Sequence, residues 1–116
     1  MQDLREFIQK SQEISELKII EGANWDLEIG AVTFTVAANP DPPALLFDKI
    51  KDYPAGYRVL TIPSSTDKRL ALTMGLPINL TRLELVRKIK EKLSEPLQLI
   101  PPIEVKNAPI LENVDE

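Results

Sequence analysis

The chain has 116 residues, 43% of them hydrophobic and 28% charged, with a net charge of −4 and an isoelectric point near 4.9. That is enough for one domain with a workable core and excludes a disordered polyelectrolyte, and no apolar run approaches the ~18–20 residues of a spanning helix. The acidic balance argues against nucleic acid or an anionic membrane as the main partner, and a polar, acidic start without a signal-peptide core gives a cytoplasmic protein as the expectation.

The sequence contains neither cysteine nor histidine. This removes a thiolate nucleophile, zinc-finger spacing and an imidazole base or ligand. Catalysis by this chain alone would rest on carboxylates, Lys, Tyr or Ser, so a self-sufficient enzyme is disfavoured. Of the 10 prolines, four lie at or beyond Pro96, which predicts an extended or irregular last stretch.

In chain order, Asp3 and Glu6 have the spacing of a helix-capping pair, and Leu4, Phe7 and Ile8 follow at helical intervals, so a helix is expected to fade near residues 11–13. Residues 17–20 form a short apolar run with β-branched members, read as a strand that ends at Gly22. Residues 25–38 carry two competing signals. Val32, Phe34 and Val36 alternate with Thr33 and Thr35, as in a half-buried strand. The same stretch also reads as a helix capped by Asp26, with an apolar stripe of Leu27, Ala31, Phe34 and Ala38.

The proline cluster over residues 39–43 breaks any regular element. Residues 44–47 and 57–62 are strand candidates on either side of a turn-rich loop that carries Tyr53, Pro54 and Gly56. Residues 64–67 offer several N-cap oxygens to a helix lined by Leu70, Ala71 and Met74, and Gly75-Leu76-Pro77 is a helix-ending signal. Thr81 and Glu84 form a second capping pair. Behind it, Leu83, Val86, Ile89 and Leu93 mark an apolar stripe opposite Arg82, Arg87, Lys88, Lys90 and Lys92. From Pro96 onward the expectation is polyproline-like chain, with residues 103–105 as an edge strand.

Several segments, taken in order, carry a family likeness: Asp3-Leu-Arg-Glu-Phe, Glu16-Leu-Lys, Trp25-Asp-Leu-Glu-Ile-Gly, Pro43-Ala-Leu-Leu-Phe, Tyr57-Arg-Val-Leu-Thr, Arg69-Leu-Ala-Leu, Met74-Gly-Leu and Ala108-Pro-Ile-Leu-Glu-Asn-Val. Together they resemble the N-terminal part of a UbiD-type decarboxylase (3-polyprenyl-4-hydroxybenzoate carboxy-lyase-like). The likeness departs at Asp52, where a Gly is usual, and at residues 39–42, where a glycine-rich turn is usual. It tips residues 25–38 toward helix.

The resemblance implies a family of reversible non-oxidative (de)carboxylases of aromatic and α,β-unsaturated acids. These use prenylated FMN with a divalent metal and a monovalent cation, and their catalytic and cofactor-binding residues lie in a central domain. The expectation for this chain is therefore no catalytic, cofactor-binding or metal-ligating residue of its own. Residues 1–95 would form a single α/β domain, a small mixed sheet flanked by about four helices. Residues 96–116 would lead toward a UbiD-like catalytic domain or subunit. A fragment of a longer enzyme and a natural split subunit both fit. The competing class is a stand-alone protein-interaction module without an enzymatic role.

Trp25, Tyr53 and Tyr57 are candidates for a domain interface or for core packing, since aromatic rings bury area while keeping a polar tip, and the resemblance implies that Tyr57 and Arg58 face a catalytic domain. Three weaker features have plainer readings. The basic surface of the Thr81 helix reads as a solvated face. The Lys68-Arg69 pair after Ser64-Ser65-Thr66 reads as ordinary capping rather than an anion site. The carboxylates Asp48 and Asp52 read as surface acids rather than an acid/base or metal pair.

Overall fold

In the computed structural model, which describes residues 3–96 and 99–105, the elements run α1 (Leu4–Glu13), β1 (Leu17–Glu21), α2 (Glu28–Ala37), β2 (Ala44–Asp48), β3 (Val59–Thr61), α3 (Asp67–Thr73) and α4 (Arg82–Leu93). The three strands form one mixed sheet in the order β1-β2-β3. β1 and β2 are parallel, in register from Leu17 opposite Ala44 to Glu21 opposite Asp48. β2 and β3 are antiparallel, with Phe47 opposite Val59 and Leu45 opposite Thr61. The α/β class and small mixed sheet expected from the sequence are what forms.

β2 is central because its sequence allows burial on both faces. Ala44, Leu45, Leu46 and Phe47 are all buried, as a continuous apolar strand requires. Leu45 and Phe47 join Ala23 and Ile50 in the main core, and Ile29, Val32 and Val36 of α2 pack against that cluster. Leu46 faces the other way, where it lines a cleft with Ile8 of α1 and Leu60 of β3.

The helix ends follow local rules. The Asp3 carboxylate accepts from the Glu6 backbone N–H at 2.9 Å and starts α1. Thr66 caps α3, and the far end closes as a Schellman turn: Leu76 N–H donates to Ala71 O at 2.8 Å and Gly75 N–H to Leu72 O at 3.1 Å. Gly75 sits at φ +67°, where a Cβ would be strained.

At α4 the Thr81 N–H donates to the Glu84 carboxylate at 2.9 Å and the Thr81 hydroxyl does so at 2.6 Å, while Glu84 N–H returns a bond to that hydroxyl. The hydroxyl and then the backbone N–H of Thr81 hold the Glu84 pKa below its ordinary value. A depressed carboxylate contributes stability that is complete above its unfolded-chain value of about 4.3 and lost as pH falls through the lower folded value. Glu84→Ala should therefore melt below the wild type at pH 7. That gap should close as the buffer is taken below about pH 4, which thermal melts followed by circular dichroism across pH will read.

Five sequence expectations need correction. The stripe of Leu27, Ala31, Phe34 and Ala38 lies on the solvent side of α2, and the opposite face, Ile29, Val32 and Val36, is the one in the core. Both faces are apolar, so periodicity had no polar side from which to orient the helix. Asp26 is not the cap either. Asn24 organises that end, its Oδ1 accepting from Asp26 N–H at 3.0 Å and its N–H donating to the Glu28 carboxylate at 2.7 Å. On α4, Leu83, Val86 and Leu93 are exposed, Ile89 is half-buried, and Leu85 is the buried residue. β3 spans only Val59–Thr61, because residues 57 and 58 leave the ladder and Ile62 turns away at φ +55°. Residues 103–105 are exposed and form no strand, and the Ala108-Pro-Ile-Leu-Glu-Asn-Val segment lies outside the described residues.

Candidate interface site

The sheet has two ends of different character. At one end β1 and β2 begin and β3 finishes, and a single buried arginine closes it. Arg69 is 0% exposed. Its Nε donates to Pro63 O at 2.9 Å, and its Nη1 donates to the Glu16 carboxylate at 2.6 Å and to Glu16 O at 3.3 Å. Its Nη2 donates to Pro42 O at 2.7 Å and to Ile62 O at 3.3 Å. One planar fork thus ties the entry to β1, the entry to β2 and the exit from β3.

Burial pulls the Arg69 pKa below its ordinary value, and the Glu16 carboxylate works in the opposite direction. Glu16 also accepts from the Thr66 hydroxyl at 3.0 Å and pairs with Lys68 at 3.4 Å. The guanidinium is spent on the fold, which fits the plain reading of the Lys68-Arg69 pair. A neighbouring surface hollow of about 430 Å³ is lined by Glu16, Asp41, Asp67, Lys68 and Arg82 among others, with its cations facing acids.

The other end carries the interface candidates. The loops after β1 and β2 are joined there by the Lys51 N–H to Ala23 O bond, at 3.0 Å. Trp25 follows the first loop and Tyr53 and Tyr57 lie on the second, and all three rings are roughly half exposed. Tyr53 and Tyr57 touch, with ring centroids 5.9 Å apart and planes tilted by 53°. Asp52 sits at φ +66°, the left-handed region where glycine is at ease and Asp is among the better tolerated alternatives.

Arg58 stands on the far side of this loop, at a cleft of about 320 Å³ between α1 and the sheet. Its apolar lining includes Leu46, Ile8 and Leu60, and Arg5 shares it. The structure thus brings the two tyrosines together, places Trp25 on the adjoining loop and directs Arg58 to this cleft.

Two carboxylates in this region, Asp48 and Glu21, are engaged locally. Asp48 Oδ1 accepts from its neighbour's N–H, Lys49, at 2.8 Å, and Lys49 Nζ donates to Glu21 at 2.8 Å. No group of three or more His, Cys, Asp or Glu able to hold a metal ion occurs among the described residues, and none of their helices is long and apolar enough to cross a membrane.

The family description "3-octaprenyl-4-hydroxybenzoate carboxy-lyase N-terminal domain" matches residues 8–93. The chain belongs to this UbiD N-terminal domain family. Among curated proteins the search finds no match. Among solved structures, the vanillic acid decarboxylase of Sedimentibacter hydroxybenzoicus (ShVdcCD) in open form with truncated ShVdcD aligns with a TM-score of 0.73 and 26% identity, over 88% of this chain and 21% of that one. The open form without that truncation gives 0.73 and 25%, over 84% and 21%. The closed form gives 0.63 and 26%, over 80% and 20%. This UbiD-family chain therefore spans about a fifth of the length of the decarboxylase chains it resembles.

Two structural features were not placed by the local sequence pattern. Arg69 as a clamp left no local signal, because four of its five bonds end on main-chain oxygens and three of the five reach Glu16 or Pro42, far away in sequence. The outer face of α2 did leave one, its apolar stripe of Leu27, Ala31, Phe34 and Ala38.

Proposed function

We propose that the chain is the N-terminal, non-catalytic region or split small subunit of a UbiD-like non-oxidative (de)carboxylase of aromatic or α,β-unsaturated carboxylic acids. The observation that carries this reading is the family match over residues 8–93, together with a solved decarboxylase in which the same fold is about a fifth of the chain. Residues 1–95 then act as the packing unit and residues 96–116 lead toward the catalytic body, in a cytoplasmic enzyme. Trp25, Tyr53, Tyr57 and Arg58 face that body or its approach.

The family implies prenylated FMN with a divalent metal and a monovalent cation. The residues described here do not fit that group: they offer no metal-ligating cluster, and the arginine beside the α3 N-terminus is consumed by protein oxygens. On this reading cofactor and reaction belong to the catalytic partner, and this chain's contribution is a folded surface that completes it.

Reconstitution tests this directly. The purified chain incubated with prenylated FMN should retain no stoichiometric flavin absorbance after gel filtration. Assembled with the UbiD-type catalytic polypeptide of the same genome, it should elute with a flavin-loaded, decarboxylating complex. Stoichiometric flavin on the isolated chain, or a catalytic polypeptide indifferent to its presence, would overturn the reading.

A further inference from the structure

We infer that the outer face of α2, centred on Leu27 and Phe34, is the surface on which the catalytic body docks. The inference rests on the functional reading above and adds to it the contact by which the domain is held. Leu27 is 81% exposed, Phe34 80% and the neighbouring Trp25 58%. Ala31 and Ala38 complete the face and are exposed as well.

A surface helix of a free-standing protein has an apolar stripe on one side and charges on the other. A helix that is apolar all round belongs between two protein layers. α2 is of the second kind. Ile29, Val32 and Val36 bury one side against the sheet, and the opposite side offers no charged residue. The helix carries a single charge, Glu28, which is engaged by the Asn24 N–H at 2.7 Å. The Thr35 hydroxyl is turned inward, donating to Ala31 O at 2.8 Å. What remains is a dry surface with two large side chains seven residues apart, about 10 Å along the axis, and alanines beside them. Its complement is an apolar surface with two pockets at that spacing.

The catalytic body is favoured over a second copy of this chain on two grounds. In the solved decarboxylases this fold accounts for about a fifth of the chain, so a body several times larger is there to rest against it. Five side chains also provide a patch of a few hundred Å² at most, short of the ~800 Å² per partner of a stable pairwise interface. A large body that also touches other parts of the domain makes up the difference.

The test uses the chain with the UbiD-type catalytic polypeptide of the same genome, as the assembled enzyme. Hydroxyl-radical footprinting by mass spectrometry should show Trp25 and Phe34 reactive in the isolated chain and protected in the assembly. Phe34→Asp should weaken retention by about 30-fold or more, as expected for a central anchor, while the isolated variant melts with the wild type. Leu27→Asp gives a second reading at the same face. If the wild type assembles but Trp25 and Phe34 stay reactive and both variants are retained, the α2 surface is wrong while the functional reading stands. If the wild type does not associate with the catalytic polypeptide, the functional reading fails and takes this occupant with it. A dimer of the isolated chain, seen by sedimentation and lost in Phe34→Asp, would instead assign the face to a second copy.

Discussion

Replacing Arg69 with alanine should lower the unfolding free energy by about 3–5 kcal/mol, the range for breaking a buried ion pair from one side. The loss comes less from the missing attraction than from what stays behind. Pro42 O, Ile62 O and Pro63 O lose their guanidinium partner, and the largely buried Glu16 carboxylate loses its closest cation. The backbone adds to this. Ile62 is held at φ +55°, a costly position for a β-branched residue of order 1–3 kcal/mol, and Arg69 bonds both its carbonyl and the next one.

Against a typical total of about 5–15 kcal/mol, the variant should unfold at much lower urea concentration. Arg69→Lys should recover only part of the deficit, because one ammonium cannot reach acceptors spread across three strand ends. Equal midpoints for wild type and Arg69→Ala in urea titration would refute the clamp.

The second large effect contrasts two phenylalanines. Phe47→Ala should cost about 3–5 kcal/mol, the loss expected when a fully buried ring leaves a cavity. Phe47 is 0% exposed, on the central strand and beneath α2. Phe34→Ala removes a ring that is mostly in solvent, and should fall within about 0.5 kcal/mol of the wild type. Chemical denaturation of the isolated chain measures both. A large loss at Phe34 would mean that the outer face of α2 is held by the domain itself, which would also undercut the docking surface proposed for it.

Much of the fold was legible because much of it is local. Asp3 and the Thr81–Glu84 pair cap their helices as their spacing predicted, Thr66 is the cap of α3 among the oxygens that residues 64–67 offered, and Gly75 closes that helix. The apolar run from Ala44 to Phe47, bounded by prolines on one side and a turn on the other, became the central strand. What was not legible depends on which of two equivalent choices the tertiary structure makes. In α2 the alternation of Val32, Phe34 and Val36 with Thr33 and Thr35 competed with the helical reading, which the family likeness decided, and with two apolar faces and no polar one the orientation of the helix was not readable. In α4 the buried Leu85 lies beside the expected stripe, of which Leu83, Val86 and Leu93 are exposed and Ile89 alone is half-buried. Arg69 is the extreme case: besides the nearby Ile62 and Pro63 carbonyls, its partners lie 27 and 53 positions away, and its role exists only once those segments have met.

Four of the five bonds from that guanidinium end on main-chain oxygens, and only one needs a particular side chain, the Glu16 carboxylate. Every residue type carries a carbonyl, so substitution at positions 42, 62 or 63 leaves the acceptors in place as long as the backbone keeps its path. The information that locks this edge of the sheet is thus concentrated in one arginine and one glutamate. The surrounding loops contribute backbone carbonyls to this lock rather than particular side chains.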